Sequence, residues 1–415
     1  DELKKYYFEN TLNKNSLLLG IFLKKNYHIG NIRIKFKDKS KQSCSIGILI
    51  GNKGFRNKGI GKRSLELVIE KINEFYNTIK FELGVNHQNF SAINSYQNAG
   101  FIIKNKKNNS LLMEKNLKNL NFHKFSIGTA QMGMNYGILN KNKIINDGEF
   151  KKIINYCNKF GINSLDTSPR YGDVENKIAN FQLNGWQISS KFLPANLIYS
   201  KKNKYFYLDS FQKTLKNLKT KKIYSILVHK PNDLLSEKDF IFKALDEVKK
   251  TNNVKKIGLS LNTMNDFQLI KKYPFDIIQA PLNFFDQRIL QENKINFLKK
   301  KGIEIQVRSI FLQGLALCKT NTLPKEFKKY KKYWIQRDKY LKKENLTNLE
   351  LAVNFVNQNP LIDKIILGVD NFKQFKFILN TKKKSLENIQ KLKIKNEKII
   401  TPFLWKYLNL NEKFN

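Results

Sequence analysis

Cysteine is scarce in these 415 residues: only Cys44, Cys157 and Cys318 occur, far apart and with no CxxC pair. Such spacing argues against a disulfide framework. With no cluster of histidines nearby, it argues against a structural zinc as well. No apolar run approaches the roughly 20 residues that span a bilayer, and no charged-then-apolar leader is present. The thiols are therefore expected to be reduced and the protein cytoplasmic, with no metal and no membrane partner. Methionine is missing from the first position, where Asp1 stands, so the chain is expected to be a piece of a longer one.

Acidic residues are outnumbered, 34 against 76 basic ones, for a formal charge of +42. A charge this large suggests a polyanion partner. Yet the basic residues are almost all lysine, run from end to end, and come with abundant Asn, Ile and Phe. A nucleic-acid surface concentrates charge on one face and favours arginine for its fork geometry. Compositional drift explains the lysines better, and no specific nucleic-acid partner is expected. The field still draws in anionic small molecules, nucleotide cofactors included.

Two patterns follow one another along the chain. Up to about residue 115, apolar runs or alternations at 17–25, 28–36, 44–51, 81–86 and 110–116 predict strands, the last closing a sheet. Leu65, Val68, Ile69, Ile72, Phe75 and Tyr76 have helical spacing, and 91–101 reads as a short helix ending at Gly100. The polar stretch around 116–123 is the expected linker between a domain over 1–115 and one over 124–415. In the latter, eight candidate strands (125–131, 162–168, 186–192, 223–229, 255–260, 275–281, 303–310 and 363–369) alternate with helical patterns such as 149–161 and 288–302. The fold class is thus α/β: a mixed α+β domain, then a (β/α)8 TIM barrel, with a doubly wound open sheet as the alternative.

Sites in such barrels sit where strands end. Asp166 and Tyr171 (LDTSPRYG), Lys191 (SSKF) and His229 (LVHKP) all end or follow three consecutive strands. Reducing a carbonyl by hydride leaves an alkoxide that needs a proton. A tyrosine can supply it, but its ordinary pKa of about 10 makes it a reluctant acid. A nearby ammonium favours the phenolate, a carboxylate keeps that ammonium in place, and a histidine orients the carbonyl oxygen.

Residues 123–415 resemble the aldo-keto reductases, through FSIGTAQMGMNYG, LDTSPRYGDVE, SSKF, LVHKP, KKIGLSLN, IIQAPLNFFDQR, VRSIFLQGLAL and IILGVDNFKQF in that order. The resemblance implies Tyr171 as general acid, Lys191 and Asp166 as its tuning pair, and His229 as the orienting residue. It also implies an NADPH site, with Ser260 and Gln279 on the nicotinamide carboxamide and Gly368, Asn371 and Gln374 near the phosphates. The family often has Ser-Asn adjacent after the fifth strand, whereas here Leu261 separates Ser260 from Asn262. Lys373 and Lys376 are candidates for the cofactor's 2′-phosphate.

In the first domain, NKGFRNKGIGKRS combines glycine and positive charge ahead of a helix. A P-loop needs GxxxxGK[ST], but Ile60 stands where the lysine should follow Gly59, and Arg63 displaces the hydroxyl after Lys62. Arg56 to Gly61 instead fits R/Q-x-x-G-x-G/A, and residues 15–116 resemble the Gcn5-related N-acetyltransferases (GNAT), whose first strand and helix look missing here. Glycines let backbone N–H groups approach a pyrophosphate, and the helix N-terminus adds its dipole. The resemblance implies acetyl-CoA on Arg56, Lys58, Gly59 and Gly61, with strands 44–51 and 81–86 splaying around its arm. From NFSAINSYQNAGF it implies Asn89 on that arm and Tyr96 as the acid that protonates the leaving thiolate. Glu82 is the candidate base.

Together the two resemblances imply a bifunctional enzyme that reduces a carbonyl and N-acetylates an amine, on small molecules such as nucleotide-linked sugars. Alternatively, one module is catalytically silent and the protein senses cofactors or serves as a scaffold. Arg170 and Arg308 bear on whether the carbonyl substrate is anionic.

Overall fold

The computed structural model describes residues 15–23, 27–76, 78–117, 120–138, 144–181, 183–194, 204–236 and 238–408. These fall into two compact units, one of residues 1–123 with 157–161, the other of 124–156 with 162–415.

In the first unit, β1 (Ser16–Leu23), β2 (Tyr27–Phe36), β3 (Ser43–Ile50), β4 (Lys80–Asn86), β5 (Ile102–Lys107) and β6 (Ser110–Asn116) form a sheet in the order β1-β2-β3-β4-β6-β5. Alternation explains β2: Ile32, Ile34 and Phe36 are buried while Lys35 is exposed. Helix α1 (Ile60–Tyr76) buries Leu65, Ile69 and Ile72, one stripe at helical spacing. It starts five residues before Leu65, the first residue of the predicted pattern, so Gly61 lies in its first turn. Helix α2 (Phe90–Asn98) ends where Gly100 takes φ +90°. One expectation is corrected. Residues 110–116 do not close the sheet but lie inside it, because 102–107 add an edge strand beyond. That strand carries Lys104, Lys106 and Lys107, so it shows no apolar pattern; charge is what an edge tolerates.

In the second unit, β7 (Phe125–Gly128), β8 (Ser164–Asp166), β9 (Gln187–Lys191), β10 (Ile223–Val228), β11 (Val254–Ser260), β12 (Ile277–Pro281), β13 (Glu304–Arg308) and β14 (Lys364–Leu367) close a parallel barrel. Its helices include α3 (Asp147–Phe160), α4 (Val174–Ile178), α5 (Lys204–Asn217), α6 (Lys238–Lys250), α7 (Phe267–Lys272), α8 (Glu292–Lys300), α9 (Lys332–Glu344), α10 (Asn348–Asn357) and α11 (Phe372–Leu379). The single helix predicted over 288–302 is broken. Residues Arg288–Leu290 form a 3-10 turn and α8 begins at Glu292, after an extended Gln291 (ψ 133°). Arg288 explains the break, since its guanidinium is held by Asp286, Glu397 and Thr401 at 2.8–3.1 Å. Among the described residues no helix is long and apolar enough to cross a membrane.

Candidate active sites

Alternation along β9 sends Ser190 outward, where it donates to Glu175 of α4 at 2.9 Å, and Ser189 and Lys191 inward. Lys191 is 2% exposed, and burying an ammonium demands partners. It finds three oxygens: Asp166 Oδ1 at 2.8 Å, Asp166 Oδ2 at 2.9 Å and the Thr167 carbonyl at 2.9 Å. Asp166 also accepts from Gln279 Nε2 on β12 at 2.6 Å. Tyr171 lies close by, its ring centroid 5.6 Å from Lys191 Nζ and 6.4 Å from the perpendicular His229 ring. All four line a cavity of about 340 Å³ at the strand ends. Ser168 Oγ lies 3.3 Å from His229 Nδ1.

The electrostatics run against one expectation. Burial, then the Asp166 carboxylate, raise the Tyr171 pKa rather than lowering it. Lys191 is held by Asp166, and burial with that carboxylate keeps Tyr171 protonated at neutral pH. Burial, and next the Lys191 charge, hold His229 well below the usual imidazole value of 6.5, so its ring is neutral. A folded-state pKa below the unfolded one means acid favours the unfolded chain. The stability this burial brings is therefore complete above about pH 6.5 and is lost as pH falls below it. Thermal midpoints measured from pH 7.5 down to 5.5 should fall less steeply in His229→Gln than in the parent. Equal slopes would mean that His229 is not buried neutral.

Ser260, Gln279, Gly368 and Gln374 also line the cavity, as does Asn262. Asn371 does not: its side chain caps α11 by accepting from the Gln374 N–H at 2.8 Å. Lys373 and Lys376 are exposed and away from the cavity wall. Three contributors escaped sequence reasoning. Gln306 accepts from Gln279 Nε2 at 3.1 Å and donates to Glu304 at 3.0 Å, which orients the Gln279 amide. Its one sequence signal is a polar residue at an inward position of an apolar strand. The Gln131 amide would lie 2.6 Å from a Cβ at Gly368. Gly133 is the sharpest case, because a Cβ there would sit 1.6 Å from the Tyr171 carbonyl oxygen and 2.3 Å from Val174 Cγ2. Gly133→Ala must displace the backbone that carries Tyr171. A fall in kcat of about 10²-fold is expected, the scale of a misplacement near 1 Å, with the fold retained by circular dichroism. Unchanged kcat would show that the loop yields freely.

In the first unit, β3 and β4 pair only over Ser43–Ser45 with Lys80–Glu82, and then part, while each stays paired on its other side. This is the expected splay. The glycine loop follows β3, and Gly59 takes φ +76° with nothing within 4 Å of a Cβ position, open backbone at the start of α1. The side chains are otherwise engaged. Arg56 donates from Nε to Ile50 O at 2.9 Å and from Nη2 to Gly51 O at 3.4 Å. Lys58 Nζ lies 5.4 Å from the Phe55 ring centroid. Asn89 caps α2, and Tyr96 packs half-buried on the core and against Phe101, its pKa raised by burial. Glu82 is ion-paired with Lys37 and Lys80. Burial would raise its pKa, but the two ammonium groups outweigh that and leave it lowered, which makes it a poor base.

A closed parallel barrel with a buried Lys–Asp pair, a tyrosine and a histidine around one cavity defines a carbonyl-oxidoreductase class of site. The model of the Aldo/keto reductase family matches residues 124–397, and the chain belongs to that family. The model of the Acetyltransferase (GNAT) family matches residues 1–101, so a GNAT domain precedes the reductase domain. Among solved structures, the glycerol dehydrogenase from Gluconobacter oxydans is similar at 18% identity, covering 70% of this chain and 93% of that one, with a TM-score of 0.51. An aldo-keto reductase from Bacillus halodurans in its holo form is similar at 15% identity, covering 65% and 91%, with a TM-score of 0.50. At such identities the likeness is one of fold. No curated protein matches the chain in sequence.

Proposed function

We propose that the barrel reduces the carbonyl of a sugar-related small molecule with NADPH, and that the GNAT domain N-acetylates an amine with acetyl-CoA. Sugars linked to nucleotides are the proposed substrates for both steps. The observation that carries the reductase reading is the fully paired Lys191–Asp166 couple beneath Tyr171 in a cavity shared with His229. A nicotinamide fits this wall. Gln279 turns its amide nitrogen to Asp166 and Gln306, which leaves its buried Oε1 without a hydrogen-bond partner, an acceptor for a carboxamide N–H. Ser260, Gly368 and Gln374 would hold the rest of the cofactor, which supplies the hydride when bound. Neutral His229 can donate an N–H to the substrate oxygen, and Tyr171, still protonated, gives up its Oη proton as negative charge develops there.

NADPH consumption with a panel of keto- and aldo-sugars tests this. Cofactor oxidation with at least one is expected, and none across the panel would overturn it.

For the first domain, the parting of β3 and β4 and the open Gly59 backbone support acetyl-CoA. The engagement of Arg56, Asn89 and Tyr96 in the fold favours a second reading, in which this module binds the cofactor without turnover. Calorimetric titration with acetyl-CoA, followed by an acetylation assay on amino sugars, separates the two readings.

A further inference from the structure

Two arginines at the barrel mouth are left over once the carbonyl chemistry is assigned. Arg170 immediately precedes Tyr171, and Arg308 ends β13; both line the cavity. Both guanidinium charges act on the same two side chains, opposing the rise in the Tyr171 pKa and adding to the depression at His229. Chain adjacency puts Arg170 beside Tyr171, and the bonds Arg308 makes to Leu261 and Asn262 put it next to Ser260.

The two are held differently. Arg308 is anchored, with Nη2 donating to the Leu261 carbonyl at 2.6 Å and to Asn262 Oδ1 at 3.4 Å, and Nη1 to Ser309 Oγ at 3.3 Å. Arg170 uses its backbone N–H on Ser168 Oγ at 3.2 Å. Arg170 is half-buried as a residue, and its guanidinium has no hydrogen-bond or ion-pair partner among the described residues. The carboxyls of the cavity wall do not answer this charge. Asp166 is taken by Lys191 and Gln279, and Asp370 follows β14 at the cofactor end. A guanidinium at a cavity wall with no counter-charge is an open site for an oxyanion, which would supply the missing partner.

We propose that the carbonyl substrate carries a carboxylate or phosphate, and that the fork of Arg170, with Arg308 beside it, binds this anion next to the reacting carbonyl; this deepens, and rests on, the reductase function above. A planar guanidinium takes either oxyanion with two parallel N–H···O bonds, and the anchored Arg308 adds charge without needing to reorganise.

Matched pairs test it: succinic semialdehyde against its methyl ester, and glyceraldehyde 3-phosphate against glyceraldehyde, each with NADPH. The readout is kcat/KM for the anionic member over the neutral one. A preference of about tenfold or more is expected for at least one pair, the scale of one charge-assisted hydrogen bond. Whichever pair shows it names the carboxylate or the phosphate. Arg170→Gln should bring the ratio close to one, and Arg170→Lys should restore part of it. Because the Arg170 side chain makes no hydrogen bond or ion pair among the described residues, these variants should fold like the parent. In parallel, calorimetry with succinate and with inorganic phosphate, at saturating NADP⁺, reads anion binding without turnover. Reduction with equal ratios in parent and Arg170→Gln overturns the anion site and leaves the reductase standing. Anion binding lost in Arg170→Gln, with no reduction of any aldehyde, supports the anion site and overturns the reductase.

Discussion

Tyr171→Phe is expected to lower carbonyl reduction by about 10²–10⁴-fold, the usual contribution of one positioned acid. The phenyl ring fills the same space, so the edge contact with His229 and the approach of Lys191 survive. Only the hydroxyl, and with it the transferable proton, is lost. If this proton neutralises the developing alkoxide, kcat falls while the affinity for NADPH, read by fluorescence titration, stays near the parent value. A variant that oxidises NADPH as fast as the parent would remove Tyr171 from the chemistry. The raised Tyr171 pKa adds an expectation. The acid form persists through neutral pH, so the reduction rate should not fall between pH 7 and 9 through loss of this proton. A fall there would mean that the phenol titrates within the working range.

Lys191→Met should damage both activity and stability. Lys191 and Asp166 are 2% and 5% exposed, and each is the other's charge partner. Removing the ammonium leaves a buried carboxylate with Gln279 Nε2 as its one remaining donor among the described residues. Breaking a buried pair from one side costs about 3–5 kcal/mol, a large part of what holds a domain together. The denaturation midpoint of the reductase domain should drop accordingly. The double variant Lys191→Met/Asp166→Asn should recover much of the stability, because no buried charge remains, yet recover no activity. If the single variant is as stable as the parent, Asp166 must be reached by water or take up a proton at little cost.

Much of the barrel was legible because its signals are local. Each predicted strand has its counterpart, and Asp166, Lys191 and His229, which line one cavity, stood out in the sequence because they end apolar strands or follow them directly. The edge strand 102–107 was missed for an equally local reason, since its lysines hide the alternation. The direction of the Tyr171 shift was beyond the sequence. Spacing brought an ammonium near a phenol, but the balance depends on how much burial surrounds the ring and on which carboxylate claims the ammonium. The same holds for Arg56, whose place in the glycine motif says nothing of the two carbonyls that bind it. Gly133 offered no signal at all, as its importance lies in a carbonyl thirty-eight positions further on.

By itself the sequence determined the type and order of the elements and the strand ends that carry polar groups, because side-chain periodicity and glycine punctuation act over a few residues. Only the closed barrel decided which of those groups meet. Gln279 and Asp166 stand 113 residues apart along the chain and share a hydrogen bond across its interior. Buried donors there seek acceptors, and that demand pairs Lys191 with Asp166 and turns the Gln279 amide nitrogen to the same carboxylate.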